Sequence, residues 1–282
     1  MTSPYPPLPT TSLPAALAAA FFAFSIFTPP AVAEDDLAAA AQNPVASMIS
    51  VPLDTSVDFG AENGTAVIAN FQPVVPVRIG DWNLINRPIL PIIYLEGKIT
   101  GTPEIPNPPI DIESEEKFGL GDLNYSAYLS PAKAGSIIWG IGPSLTIPTA
   151  TDDLLGSGKW SAGPTAVVLA QPKPWSLGVL ARQLWDFAGD SDRGQVNNFL
   201  LQPFVNYNLS DGWFLNFDPI ITANWQAEDK WTVPLGGGVG RIFKIGQQPV
   251  NMRLRAYYNV VRPDGAADWS VNFAVQLLFP KK

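Results

Sequence analysis

The feature that most narrows what this chain can fold into is a period of two. It is sustained over segments of roughly ten to fourteen residues, which fit either a sandwich or a lipid-facing barrel. From Trp269 to Phe279, Trp269, Val271, Phe273, Val275, Leu277 and Phe279 fall on one face, and Ser270, Asn272, Ala274 and Gln276 on the other. From Val250 to Val260 the apolar face carries Val250, Met252, Leu254, Ala256, Tyr258 and Val260, opposite Asn251, Arg253, Arg255, Tyr257 and Asn259. Trp213 to Gln226 alternates in the same way, with Asn216 and Asp218 on the polar side. Successive side chains of a strand point to opposite faces, so each segment reads as a strand with one wet and one greasy side. No stretch beyond Ala33 can cross a membrane as a helix. The most apolar, Pro88 to Leu95, is eight residues long and holds two prolines, whereas a spanning helix needs about 20 apolar residues.

The connections separate a soluble sandwich from a membrane barrel. Short turns at Ile79-Gly80-Asp81, Pro131 to Ser136, Gln171 to Pro174, Ser210-Asp211-Gly212 and Gly246 to Pro249 alternate with generally longer segments, among them Glu96 to Phe118 and Pro148 to Gly158. Short turns at one end and longer loops at the other are the outer-membrane pattern, and counting segments predicts an all-β, transmembrane, antiparallel up-and-down β-barrel of about 12 strands. The nine tryptophans agree: Trp82, Trp139, Trp175 and Trp213 follow short turns, and the other five lie beside longer loops, as interfacial girdles require. A sandwich core would place such rings in mid-strand instead. Two features disturb the regularity. Prolines such as Pro73, Pro143, Pro164, Pro203, Pro219 and Pro234 interrupt the segments and predict bulges, because each removes a ladder donor. Arg241 falls on the apolar face, which predicts a slip of register near the short-turn end of its strand.

Residues 1–33 read as a signal peptide: an apolar run from Ala15 to Phe27, then Ala31-Val32-Ala33 before Glu34, although the first basic side chain is Arg78. The expected organisation is signal peptide 1–33, an N-terminal periplasmic segment 34–45 and an outer-membrane barrel 46–282. The mature chain is expected to meet outer-membrane lipid, lipopolysaccharide and the barrel-assembly machinery. Phe279 is the candidate assembly signal, since it closes the cleanest strand on an aromatic ring.

Composition excludes several functions. A net charge of −8 offers no cationic field for nucleic acid. With no cysteine and no histidine, disulfides, thiolate metal sites and imidazole general-base catalysis are out of reach, so no enzyme, metal or cofactor is expected. Three acidic pairs, Asp152-Asp153, Glu115-Glu116 and Asp190 with Asp192, fall in expected outer loops, where solvation or cation contact is the simpler role. Gly236-Gly237-Gly238 lacks the lysine and following helix of a phosphate loop and suits a place where side chains must be thin. What remains is the lumen. Alternation sends Arg87, Arg182, Asp186, Asp218, Arg253 and Arg255 inward, together with Asp54, Asp58 and Asp122. Charges there must pair or face water. The residues thus point to a channel or facilitated transporter for a small-molecule solute, with a non-conducting structural or surface-interaction barrel as the alternative.

The order of several phrases also resembles a known family. These are NPVASMISVPLDTSVDFG from Asn43, QPVVPVRIGDWNLINRPILPII from Gln72, SPAKAGSIIWGIGPSLTIPTATDD from Ser130, KWSAGPTAVVLAQPKPWSLGVLARQLWDFAGD from Lys159, LQPFVNYNLSDGWF from Leu201 and WTVPLGGGVGRIFKIGQQPV from Trp231. Together they are similar to proteobacterial outer-membrane proteins catalogued as transporters of the MetA pathway of phenol degradation, often mislabelled as neuromedin U. The resemblance implies an outer-membrane barrel whose solute is aromatic or hydrophobic by association. It carries over no site residues. One departure is that Pro280-Lys281-Lys282 follow Phe279.

Overall fold

The computed structural model describes residues 34–61, 64–97, 99–105, 116–133 and 135–280. The expected signal peptide with its cleavage site, Glu115 and the final two lysines lie outside the described residues. A helix, α1 (Glu34–Ala41), precedes the sheet. Fifteen strands then build twelve staves, three of which are interrupted. They are β1 (Ile49–Ala61), β2 (Gly64–Phe71 and Val75–Ile79), β3 (Trp82–Gly97), β4 (Lys117–Leu120 and Leu123–Pro131), β5 (Ile137–Ile147) and β6 (Lys159–Ala170). The others are β7 (Trp175–Gly189), β8 (Asn197–Asn208), β9 (Trp213–Phe217 and Ile221–Asn224), β10 (Trp231–Ile245), β11 (Gln248–Val261) and β12 (Trp269–Phe279). Each is antiparallel to the next, and β12 pairs with β1 from Ile49↔Phe279 to Phe59↔Trp269, which closes the sheet. Closure matters in lipid, where an open edge would leave backbone donors and acceptors without partners.

Alternation is realised as lipid-facing and lumen-facing sides. Val168, Leu177, Leu215, Leu254, Val271 and Phe273 stand exposed on the outside, an apolar band no soluble sheet could hold in water. All nine tryptophans are exposed, in two girdles. Trp82 packs edge-on against Trp139 at 5.9 Å at the short-turn end, and Trp225 against Trp231 at 5.4 Å beside the loops. The tight turns at the short end use Gly80 and Gly246 at φ of +58° and +61°, the left-handed region that glycine tolerates best.

The prolines act in more than one way. Pro73 and Pro219 fall in the breaks of β2 and β9. Pro234 abuts a register shift in β10. Pro143 and Pro164 face each other across β5 and β6, so each lacks a donor toward its other neighbour. The ladders there are interrupted accordingly, between Ser126↔Ser144 and Leu129↔Ile141 on one side and between Ala162↔Trp185 and Thr165↔Arg182 on the other. The slip expected near the short-turn end of β10 does not occur: pairing with β11 runs unbroken from Pro234↔Asn259 to Ile245↔Gln248, and the shift lies at the opposite end. Arg241 keeps its outward place because its guanidinium lies 5.1 Å from the Trp213 ring centroid and donates to the Asp211 carbonyl at 3.3 Å. At the interface an arginine can lay its stem on apolar surface and leave its head in water.

Residues 37–48 lie inside the short-turn mouth. Leu37, Ala38, Ala46 and Met48 pack with Phe214, Ile242 and Leu278 of the barrel wall. Val45 packs among Val74, Ile85, Tyr128 and Phe204. Gln42 donates to Asn208 Oδ1 at 2.8 Å, and Gln171 to the Ala39 carbonyl at 2.8 Å. One thin position of β10 serves this packing, since a Cβ on Gly240 would stand 2.2 Å from the Phe214 ring, whereas a Cβ on Gly236 or Gly238 would stand 2.0 Å from a carbonyl oxygen of β11.

Candidate functional site: the barrel lumen

One cavity of about 350 Å³ occupies the lumen. Its lining runs from Gln42 and Asn43 at the short-turn mouth to Thr100, Thr232 and Ala266 near the outer end. Among the described residues no cluster of histidine, cysteine or carboxylate side chains could hold a metal ion.

One wall carries a closed charge cage. Arg253, Arg255 and Tyr257 alternate along β11 and so project inward together. Arg255 donates to Asp218 Oδ2 at 2.9 Å and to Asp54 Oδ1 at 2.7 Å. Arg253 approaches the same carboxylates less closely, Asp218 Oδ2 at 3.3 Å and Asp54 Oδ2 at 3.6 Å. Tyr257 donates its hydroxyl proton to Asp218 Oδ1 at 2.7 Å. Asp218 sits in the break of β9, and Asp54 lies on β1, two staves from β11. Between Arg253 and Asp54 in the register stands Ala274, fully buried and small enough for the arginines to reach across it. Two cations and two anions cancel, and Arg255 is only 6% exposed. A pair so deeply desolvated is stable only while both partners are present.

The other wall carries arginines without carboxylate partners. Arg87 on β3 donates to Gln72 Oε1 at 2.9 Å. Arg182 on β7 donates to Asn124 Oδ1 on β4 at 2.7 Å. It spans two intervening staves, β5 and β6, whose inward residues are small: Ser144 and Thr165 are both buried. Among the described residues neither guanidinium forms an ion pair.

Asp186 departs from the sequence expectation. Its carboxylate accepts from the Val196 amide at 2.8 Å, pinning the β7–β8 connection, and it does not line the cavity. Asp122 likewise braces a connection, accepting from the Ser157 amide at 2.7 Å and from the Ser157 hydroxyl at 2.8 Å. The loop carboxylates are similarly occupied: Asp152 pairs with Lys117 at 3.3 Å, Asp153 with Arg193 at 3.6 Å, and Asp190 accepts from the Asp192 amide at 2.9 Å. Phe279 stands half-buried opposite Ile49 on the closing seam.

Sequence reasoning missed Glu104. It follows β3, and its carboxylate accepts from Asn70 Nδ2 at 2.7 Å inside the barrel. Nearby Ile99 and Ile105 are buried with Ile68, Ile93 and Leu155, so this segment folds down over the lumen. Burial pushes the Glu104 carboxyl above its ordinary value, against the opposing influence of the Asn70 hydrogen bond and Arg182. Only the apolar Ile99 and Ile105 around it hinted at this in the sequence.

Residues 50–279 match the family described as "Putative MetA-pathway of phenol degradation". Among solved structures, the fold is similar to an outer membrane channel from Pseudomonas putida F1, with a TM-score of 0.63 at 15% identity, covering 83% of this chain and 96% of that one. Outer membrane phospholipase A from Escherichia coli is matched at a TM-score of 0.45 and 12% identity, over 89% of this chain and 99% of that one. LpxR from Salmonella typhimurium is matched at 0.40 and 8%, over 82% and 100%. No curated protein matches the sequence.

Proposed function

Because the chain belongs to the family of the MetA pathway of phenol degradation, we propose that it is an outer-membrane channel or facilitated transporter that passes a small aromatic or hydrophobic solute down its gradient. The observation that carries this reading is the lumen: a closed barrel with a cavity, lined by both polar and apolar side chains, reaching from one mouth toward the other. A hydrophobic packed core, the alternative way to fill a barrel of this size, would leave no such space. In this reading the chain is exported with cleavage after Ala33 and inserted by the barrel-assembly machinery, with Phe279 as its signal. Its outer loops contact lipopolysaccharide, and it acts passively, with no catalytic step and no cofactor. Purified barrel in planar bilayers should give discrete conductance steps in KCl.

A second reading, a non-conducting structural barrel, is favoured by one observation, the packing of residues 37–48 in the short-turn mouth. The absence of steps from the full-length protein and from a variant lacking residues 34–45 would establish it.

A further inference from the structure

The two arginines that the cage does not absorb have an environment of their own. Arg87 and Arg182 each spend one donated bond on a neutral amide, Gln72 and Asn124 respectively. A guanidinium has five donors in a planar fork suited to a carboxylate, so most of the hydrogen-bonding capacity of both faces the cavity unused. Arg87 stands opposite Ser126 and Arg182 reaches Asn124, two residues along the same stave, so both cations border one stretch of the cavity and an incoming anion is their natural third member. The residues two positions away on the same strands are apolar. Ile85 and Ile89 flank Arg87, Leu180 and Leu184 flank Arg182, and Ile89, Leu180 and Leu184 line the cavity. The cage on the opposite wall differs in both respects: carboxylates occupy its arginines, and Asn251 and Tyr257 flank them.

We propose that Arg87 and Arg182 form a clamp for the carboxylate of a small organic acid whose apolar body, such as one aromatic ring, lies against Ile89, Leu180 and Leu184. The clamp deepens the channel reading and rests on it, naming the solute class that the lumen holds on its way through. A cavity of about 350 Å³ is within the size range of small-molecule sites and admits a single-ring acid.

Calorimetric titration of the folded barrel in neutral detergent with sodium benzoate tests the clamp directly. Benzamide serves as the uncharged isostere and inorganic phosphate as an anion without an apolar body. The wild-type protein is expected to bind benzoate more tightly than either. Arg87→Gln with Arg182→Gln is expected to weaken benzoate by about tenfold or more, the usual consequence of losing charge-assisted hydrogen bonds. Arg78→Gln, exposed on β2 beside the first short turn, is the comparison for a lost cation elsewhere and should leave the affinity unchanged. If the double variant does not fold, the single variants carry the test, each expected to weaken binding about threefold or more. No benzoate binding to the wild type, equal affinity in the variants, or benzamide binding as tightly as benzoate would each overturn the clamp. Phosphate binding as tightly as benzoate would overturn the organic-acid assignment. Because calorimetry needs no transport, a barrel that binds benzoate through these arginines yet never conducts would refute the channel and keep the clamp.

Discussion

The two arginine pairs of the lumen share a residue type, a facing direction and a barrel, and differ in their counter-charges. Arg253 and Arg255 have two aspartates within ion-pairing distance. Arg87 and Arg182 have only the amide oxygens of Gln72 and Asn124. The first pair is a brace, tying β11 to β1 and to the broken stave β9. The second is a surface, with positive potential left over for whatever enters. Charge in a pore is therefore not informative by itself; what decides its role is whether the wall already neutralises it.

The largest expected effect breaks the brace. Arg255→Ala would leave Asp54 and Asp218 facing each other's charge without their principal partner, and uncompensated buried charge of this kind costs about 3–5 kcal/mol. Arg182→Ala removes one bond to a neutral amide and should cost about 1 kcal/mol. The temperature at which the folded band disappears on detergent gels should fall much further for the first variant than for the second. Replacing the whole cage by Asp54→Asn, Asp218→Asn, Arg253→Met and Arg255→Met should recover most of the loss, because the penalty arises from unpaired charge rather than from missing attraction. Equal shifts for Arg255→Ala and Arg182→Ala would erase the distinction between the two walls.

A smaller effect concerns access to both pairs. Residues 37–48 fill the short-turn mouth, so deleting residues 34–45 should raise single-channel conductance several-fold while leaving the sign of ion selectivity unchanged. Unaltered conductance would mean that ions already bypass this segment.

The smallest expected effect is a pH dependence from Glu104. Its carboxyl is raised by burial, with Asn70 and Arg182 opposing the shift and Asp54 adding to it. A group raised on burial favours the seated loop fully below the ordinary glutamate value of about 4.3, and that contribution fades as pH rises through the higher folded value. Conductance should therefore increase from acid toward neutral pH, and Glu104→Gln should flatten the dependence. A wild-type profile without slope would show that Glu104 does not hold the segment down.

The barrel was legible because a period of two fixes both the strand and its buried side, and because nine tryptophans marked where membrane meets water. Asp218 could be named as a partner for Arg253 and Arg255, but only the register, with Pro219 ending the first half of β9, brings it across to β11. Asp186 was misplaced for a related reason: alternation gives direction but not height, and at the rim an inward carboxylate meets the amide of the next connection instead of the cavity. Arg241 looked like an error of register because sequence alone could not seat it over Trp213. Glu104 lies beyond the strands, where no period operates, and α1 is a single eight-residue helix whose position depends on the mouth it fills.

The unneutralised pair should set the charge of a path that ions travel. The most direct measurement is the reversal potential of single barrels across a KCl gradient, for the wild type and for Arg87→Gln with Arg182→Gln. Resolved conductance is expected in both, with a shift of the double variant toward cation selectivity. Identical reversal potentials would contradict the assignment of these arginines to the conducting path, and the absence of any conductance would contradict the channel itself.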